Sequence, residues 1–149
     1  MDEPEVARMR RIVVGVDGSA GGLRAVEWAA AEAGRRGGEL EISTVYSPGY
    51  VFVTAEDVRQ AMQRVIHEAA GRAEAVAPGV TVRAVTHEAI PARSLIEASR
   101  DADLLVVGSR GHGGFAGLLL GSVGQQCSLH AHCTTVIVRA SGELQEDRA

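Results

Sequence analysis

The stretch "DLLVVGSRGHGGFAGLLLGSVGQ", residues 103 to 125, determines how the rest of the chain is interpreted. It opens with "DLLVVG", an apolar run typical of a buried strand, and closes with a segment that predicts a helix from Ser122. Seven glycines punctuate it: Gly108, Gly111, Gly113, Gly114, Gly117, Gly121 and Gly124. A flexible linker would have no use for Phe115 or for the leucines at 118 to 120. We therefore predict a loop whose backbone approaches another group closely, and whose apolar middle packs against the protein or a partner.

Strand-like and helix-like segments alternate along the chain. Short β-branched runs predict strands at residues 11–17, 39–46, 80–87, 103–108 and 134–139. Amphipathic periodicity and cap residues predict helices from Ser19 to the glycines at 37–38, and over 54–77, 91–100 and 122–131. This alternation is typical of a parallel sheet joined by right-handed crossovers and covered by helices on both faces. We predict one domain over residues 1–149, with frayed ends at 1–9 and 141–149.

Three segments should meet at the carboxyl edge of this sheet: residues 15–19, residues 45–49, and those from 108 onward. Ligands of open parallel sheets bind at that edge, where the strand order reverses. The helix predicted to start at Ser122 offers free N–H groups and the positive end of a dipole, which suit a phosphate. We expect the Ser122 hydroxyl to cap this helix and contact the phosphate. We expect Gly121 to have a positive φ, which a branched residue could not adopt.

Composition limits the classes of protein to which the chain can belong. It has 149 residues, 46% of them hydrophobic, and a net charge of −4 with both signs scattered along the chain. That balance argues against a general surface for nucleic acid or anionic membranes. No apolar run approaches the roughly 20 residues of a membrane span, and the charged N-terminus lacks the apolar core of a signal peptide. We expect a cytoplasmic protein without nucleic-acid or membrane partners.

The residues Cys127, His130, His132 and Cys133 suggest a zinc site at first. They lie across the end of a predicted helix and the start of a predicted strand, so four side chains would have to converge across a change of chain direction. Structural zinc sites usually take their ligands from two separated pairs. We therefore expect ordinary thiols here, and no metal bound by protein side chains.

Several motifs together carry a family resemblance. The sequence "VVGVDGS" covers the first strand and the turn after it, and the spacing G-x2-G-x9-G-S joins Gly108, Gly111, Gly121 and Ser122. With "ARSLIEASRDADLLVVGSRGHGG" and the closing C-x-x-V-I-V-R, the chain resembles the universal stress protein family from residue 10 to residue 139. The resemblance implies an adenine nucleotide alpha hydrolase-like fold, an α/β domain with a five-stranded parallel sheet in the order 3-2-1-4-5.

The ATP-binding branch of that family implies roles for the matching residues. Asp17 would lie beside the adenosine moiety with Gly15 leaving room for it, and the backbone of Val45 would contact adenine. Gly108, Gly111, Gly121 and Ser122 would hold the ribose and phosphates, and the nucleotide-binding set also includes Ser109, Arg110, His112, Gly113 and Val123. Members usually form homodimers through the last strand, here Val136, Ile137 and Val138. His112 replaces an arginine common in relatives, so a cation beside the phosphates would depend on pH.

The resemblance implies a regulatory stress-response dimer that binds ATP, either alone or together with Mg²⁺. A nucleotide-independent dimeric interaction module of the same fold is the alternative. A weak ATPase is a second alternative. A third hypothesis, an efficient ATPase or an adenylyl-transferring enzyme, is disfavoured because all fifteen basic residues are arginine, so that no Walker lysine exists. No Ser-His-Asp set or carboxylate pair stands near the loop. We therefore assign no catalytic residue and expect at most slow hydrolysis of ATP.

Overall fold

A computed structural model of the chain describes residues 10–46, 54–88, 91–109 and 120–139. Its strands are β1 (Arg11–Val16), β2 (Glu39–Tyr46), β3 (Thr81–Glu88), β4 (Leu104–Gly108) and β5 (Thr134–Val138). Its helices are α1 (Ala20–Arg36), α2 (Ala55–Val76), α3 (Pro91–Ala98) and α4 (Ser122–His130). Each predicted strand and helix is confirmed, with bounds that shift by one or two residues at some ends. The largest shift is at α3, which gives way to a 3-10 turn over Ser99–Asp101.

The sheet has the order β3-β2-β1-β4-β5, and every neighbouring pair is parallel, as the resemblance implied. β1 lies in the centre, with β2 on one side and β4 on the other. β2 and β3 follow one another outward on one side of β1, and the chain then returns to place β4 and β5 on the other side. The direction in which strands are added therefore reverses between β1 and β4. The carboxyl ends of those two strands therefore flank the place where ligands of such sheets bind.

Local hydrogen bonds explain where α1 and α2 begin. Ser19 is the N-cap of α1, and its hydroxyl accepts the N–H of Gly22 at 3.2 Å. Thr54 is the N-cap of α2 and forms a reciprocal capping box with Asp57. α1 ends at Gly37, whose φ of 64° is left-handed and readily adopted by glycine. These boundaries follow from residues within one helical turn, so the sequence predicted them correctly.

Two apolar clusters hold the helices on opposite faces of the sheet. The first joins Ile12 and Val14 of β1 to the buried alanines of α1 and α2. The second joins Leu105 of β4 to Leu95 of α3 and Cys127 of α4. α1 and α2 thus cover one face, and α3 and α4 cover the other. Within the described ranges, none of the helices combines the length and the apolar character that crossing a membrane requires.

Candidate functional site

Gly108, the last residue of β4, lies where two helices converge on the sheet. A Cβ atom at this position would stand 2.9 Å from the carbonyl carbon and 3.0 Å from the oxygen of Gly21, in the first turn of α1. The carbonyl oxygen of Gly108 lies 3.7 Å from the Cβ position of Gly124 in α4. Glycines therefore bring the first turns of α1 and α4 against the end of β4. At Gly108 the close approach expected from the sequence is one of backbone against backbone.

Ser109 joins the two ends of the glycine-rich loop. Its N–H donates to the carbonyl of Val138 at 2.9 Å, and its carbonyl accepts the N–H of Gly121 at 2.6 Å. The residue is only 1% exposed. One buried residue thus connects the carboxyl ends of β4 and β5 to the start of α4.

Gly121 is the N-cap of α4, which corrects two of our expectations. Its φ of −71° and ψ of 167° are extended values open to any residue, so the positive φ predicted for Gly121 is wrong. Ser122 is the first helical residue and does not cap the helix, because the N-cap position falls one residue earlier. A glycine has no side chain with which to accept a hydrogen bond, and the start of α4 has no side-chain cap. Its first-turn N–H groups have no acceptor within the helix either.

The N-terminus of α1, in contrast, has side-chain acceptors from within the protein. Asp17 directly follows β1, and its Oδ1 accepts the N–H of Ser19 at 2.9 Å. Gly18 makes the turn between them with a φ of 88°, a conformation that favours glycine. The Ser19 hydroxyl in turn accepts the N–H of Gly22. Because a carboxylate beside a helix start offsets the positive end of the dipole, α1 attracts an external anion less than α4 does.

β2 extends past the end of β1 at the carboxyl edge. The ladder between the two strands ends at the pair Val16–Thr44, while β2 continues through Val45 beside β3. The N–H of Glu39 donates to the carbonyl of Arg10 at 2.8 Å, so the odd-numbered residues of β2 turn their main-chain groups toward β1. The carbonyl of Val45 therefore points to the β1 side, beyond the last paired residue of β1.

Apolar side chains fill the space over two further glycines. A Cβ at Gly15 would stand 2.6 Å from Cδ1 of Leu95 in α3, and one at Gly124 would stand 2.7 Å from Cδ1 of Leu120. We expected the space at Gly15 to be left for a ligand beside Asp17, but Leu95 occupies it. Leu120 packs on the first turn of α4, in keeping with the packing role predicted for the leucines of the loop.

The predicted site residues divide into those that the structure describes and those that it does not. Four lie outside the described residues, and their roles stay predictions: Arg110, Gly111, His112 and Gly113. The described ones come from the end of β1 and the turn after it, the end of β2, the end of β4 and the start of α4, all at the carboxyl edge, and their binding roles also stay predictions. Sequence analysis missed the part played by Gly21 and Gly22. Their signal was a glycine pair inside a helix, where glycine is unfavourable unless something packs closely.

The Cys/His cluster after α4 divides between the core and the surface. Cys127 is buried in the second apolar cluster, and burial raises the pKa of its thiol to about 11. Burial also raises the pKa of the Cys133 thiol, with a smaller contribution from the Asp103 carboxylate, whereas His130 and His132 are exposed. In the part of the chain that the structure describes, no three His, Cys, Asp or Glu residues are grouped to hold a metal ion.

Charge at the carboxyl edge is therefore asymmetric. The acid Asp17 stands at the start of α1, while the start of α4 has a glycine cap and no acid in its first turn. The two starts approach each other through Gly108. Such an arrangement suits a ligand that carries hydroxyl donors at one end and an anionic group at the other.

Comparison with known sequences supports one family. The model of the universal stress protein family matches residues 9–139. The universal stress protein Rv2623 of Mycobacterium tuberculosis strain H37Rv is 36% identical over an alignment of 137 positions that covers 87% of this chain and 45% of that protein. The universal stress protein Rv2005c of the same strain is 39% identical over an alignment of 134 positions that covers 85% of this chain and 44% of that protein. The chain thus spans about half the length of the curated relatives it matches.

Solved structures agree with this match. A universal stress protein in complex with cAMP resembles the chain with a TM-score of 0.72 at 32% identity, covering 89% of this chain and 98% of that one. The universal stress protein from Archaeoglobus fulgidus in complex with dAMP has a TM-score of 0.67 at 22% identity, covering 88% of this chain and 98% of that one. The second likeness concerns the fold alone. The matched range and the sheet order lead to one conclusion: the chain belongs to the universal stress protein family.

Proposed function

We propose that this domain binds an adenine nucleotide, in the first instance ATP, at the carboxyl edge of the sheet and acts as a nucleotide-dependent regulatory dimer in the cytoplasm. The observation that carries the proposal is the start of α4, which has a glycine N-cap, no acid in its first turn and, within the described ranges, no side-chain hydrogen bond at its cap. Free N–H groups at a helix start favour an oxyanion such as a phosphate. The relative solved with cAMP, at 32% identity, supports the class of ligand.

The two helix starts suggest how the nucleotide would lie. Its phosphates would bind the N–H groups of Ser122 and Val123 and the loop residues 110–113, and its ribose hydroxyls would donate to Asp17. The carbonyl of Val45, beyond the end of β1, would accept a hydrogen bond from the adenine amino group. The reverse orientation would set the phosphates against the Asp17 carboxylate, and like charges at contact distance repel. In the orientation that we propose, the main chain selects the base and the start of α4 binds the phosphates.

We propose that the nucleotide is held and not rapidly consumed. Fast hydrolysis requires a cation that follows the charge developing on the γ-phosphate, and a group that orients the attacking water. The chain has no lysine, which leaves Arg110, His112 and a bound Mg²⁺ as sources of positive charge. We expect micromolar affinity, about −8 kcal/mol. Turnover should be well below the ~10 per second of a median enzyme.

The test begins with the small molecules released when freshly purified protein is denatured, identified by mass spectrometry. Calorimetry with ATP, ADP and cAMP then ranks the nucleotides, and a phosphate-release assay measures turnover. We expect an adenine nucleotide to copurify or to bind in the micromolar range. Failure of all three to bind would favour the nucleotide-independent interaction module. Turnover above about one per second, within an order of magnitude of ordinary enzymes, would refute the holding role.

We further propose that the outer edge of β5, with which no other described strand pairs, is the free edge that joins the same strand of a second copy. The Ser109 N–H donates to the Val138 carbonyl, so the main-chain groups of Val138 face β4 and those of Ile137 face the free edge. An apolar edge strand invites pairing across a two-fold axis. Antiparallel pairing of residues 136–138 would set Ile137 opposite its own copy. Ile137→Lys should then give monomers in analytical ultracentrifugation, and a wild-type chain that is monomeric at tens of micromolar would exclude this dimer.

A further inference from the structure

Two buried hydroxyl groups in β2 have no hydrogen-bond partner among the described residues. They belong to Ser43 and Thr44, and both residues have an exposure of 0%. Burying a hydroxyl without a partner costs free energy that an alanine or a valine at the same position would avoid. An unpartnered group of this kind therefore needs an explanation, and a ligand that supplies the missing partner is one.

The two hydroxyls lie on opposite faces of the sheet. Side chains alternate along a strand, and Ile42 packs in the first apolar cluster, beneath α1 and α2. Thr44 lies on the same face as Ile42, whereas Ser43 lies on the face that α3 covers. On β1 the residue in register with Ser43 is Gly15, and the residue in register with Thr44 is Val16. Ser43 thus has a neighbour without a side chain, while Thr44 lies beside a buried valine.

The space over Gly15 is filled by the end of a flexible side chain. The three atoms nearest to the Cβ position of Gly15 all belong to Leu95 in α3: Cδ1 at 2.6 Å, Cδ2 at 3.1 Å and Cγ at 3.4 Å. The branched end of a leucine can turn to another rotamer, whereas backbone moves only together with its strand or helix. A change of rotamer at Leu95 would open a slot over Gly15, with the Ser43 hydroxyl beside it on the neighbouring strand.

This slot lies below the place proposed for the base of the nucleotide. Val45 follows Ser43 by two residues along β2, and its carbonyl points to the β1 side. Asp17, the proposed partner of the ribose, follows Gly15 by two residues. The base would therefore lie over the ends of β1 and β2, and the room beneath it is on the α3 face, where residue 15 is glycine.

We infer that the adenine ring enters the slot over Gly15 and that the Ser43 hydroxyl donates a hydrogen bond to one of its ring nitrogens. The nitrogens N1 and N7 flank the amino group that the Val45 carbonyl would bind, and both are acceptors. A serine hydroxyl has one proton to donate, so this bond would satisfy the donor that the protein leaves unpaired. The inference rests on the nucleotide site proposed above and adds to it a side chain that recognises the base.

Ser43→Ala tests the inference, and Thr44→Val is the matched control, because each removes one unpartnered buried hydroxyl from β2. Calorimetry measures the affinity of the wild type and both variants for ATP, for 1-deaza-ATP, which lacks N1, and for 7-deaza-ATP, which lacks N7. The wild type should bind ATP about tenfold more tightly than one of the two analogues, the effect of one hydrogen bond. Ser43→Ala should bind ATP and that analogue equally, whereas Thr44→Val should keep the tenfold difference.

Ser43→Cys is a second variant, in case a smaller side chain disturbs the packing of β2. A thiol fills the space of the hydroxyl and is only a weak donor, so Ser43→Cys should also lose most of the tenfold difference. Urea denaturation of all three variants checks that they fold.

The outcomes that would overturn the inference can be told apart from a failure of the nucleotide site itself. Equal affinities of the wild type for ATP and both analogues would overturn it and leave the nucleotide site standing, as would a tenfold difference that persists in Ser43→Ala and Ser43→Cys. Loss of the difference in Thr44→Val as well would mean that both hydroxyls act through the packing of β2, which also overturns it. A wild type that fails to bind ATP would overturn the inference together with the ATP site.

Discussion

The starts of α1 and α4 lie side by side at one edge of the sheet, yet their main-chain donors find different partners. In α1 the Ser19 hydroxyl accepts the N–H of Gly22, and the Asp17 carboxylate accepts that of Ser19. In α4 the N-cap is Gly121, which has no side-chain acceptor to offer. Among the described residues, side chains thus accept two N–H groups at the start of α1, while the N-cap of α4 accepts none and leaves its first-turn N–H donors for another group.

This contrast shows that glycine content alone does not mark a phosphate site. α1 also has glycines in its first turn, and the backbone of Gly21 and Gly22 packs against the Cβ position of Gly108. Those glycines serve a contact between parts of the same chain. What distinguishes α4 is the lack of a side-chain acceptor at its N-cap; neither helix has an acid in its first turn, but Asp17 stands just before α1. The following changes either remove that difference or make it easier to measure.

Gly121→Asp would make the start of α4 resemble that of α1, and it has the largest expected effect. The extended φ and ψ of Gly121 accept any residue, and the new carboxylate would both cap the helix and repel phosphates. We expect ATP affinity to fall about 100-fold, close to 2.7 kcal/mol, with no loss in the free energy of unfolding. Gly121→Asn has nearly the same shape without the charge and should lose less affinity. Equal affinities of the two variants in calorimetry would contradict an anion at this position.

Gly108→Ala tests the contact that brings the two helix starts together. The added Cβ would stand 2.9 Å from the carbonyl carbon of Gly21, a backbone atom that moves only with its helix. We expect the free energy of unfolding in urea to fall by about 2 kcal/mol. Gly71→Ala in α2 is the control, since nothing lies within 4 Å of its Cβ position. The free energy of unfolding of Gly71→Ala should rise by up to about 1 kcal/mol. A similar rise for Gly108→Ala would contradict a tight contact between Gly108 and Gly21.

The serines at the two helix starts should separate stability from binding. Ser19→Ala removes the cap of α1 and should lower the free energy of unfolding by about 1 kcal/mol, with ATP affinity unchanged. Ser122 is exposed and caps nothing, so Ser122→Ala should leave stability unchanged. It should weaken ATP binding by about 1 kcal/mol, the value of the one hydrogen bond that the Ser122 hydroxyl is expected to donate to a phosphate. Urea denaturation and calorimetry on both variants provide the measurement, and the reverse pattern would refute the distinction.

A third helix start, that of α2, gives the smallest expected effect and depends on pH. Two hydrogen bonds from Thr54 hold the pKa of the Asp57 carboxyl below its usual range, and the one from its hydroxyl contributes more than the one from its N–H. The lowered pKa stabilises the folded state fully at pH values above the pKa of Asp57 in the unfolded chain. This stabilisation is lost as the pH falls through the lower pKa of Asp57 in the folded protein. Asp57→Asn should therefore reduce the loss of stability on acidification below about pH 4. Urea unfolding at a series of acidic pH values should show a shallower decline for the variant.

Features that depend on one side chain and its neighbours could be predicted from the sequence, and features that depend on distant backbone could not. Ser19 and Thr54 indicate helix starts because their hydroxyls reach N–H groups three residues later. The reason for glycine at 108 was hidden, since the group that excludes a Cβ there belongs to Gly21. The N-cap of α4, predicted one residue too late, was hidden in a similar way: the N–H of Gly121 donates to the carbonyl of Ser109, on the far side of the loop.

The burial of Cys127 allows the opening of α4 to be measured by chemical labelling. A thiol with a pKa of about 11 is ionised in only about one molecule in a thousand at pH 8, and thiolates are the species that alkylating reagents attack. The side chain is also covered by the packing of α4 on the sheet. Iodoacetamide can therefore modify Cys127 only while α4 is lifted from the sheet. The rate of alkylation then reports how often this helix opens, and a nucleotide bound at its start should lower that rate.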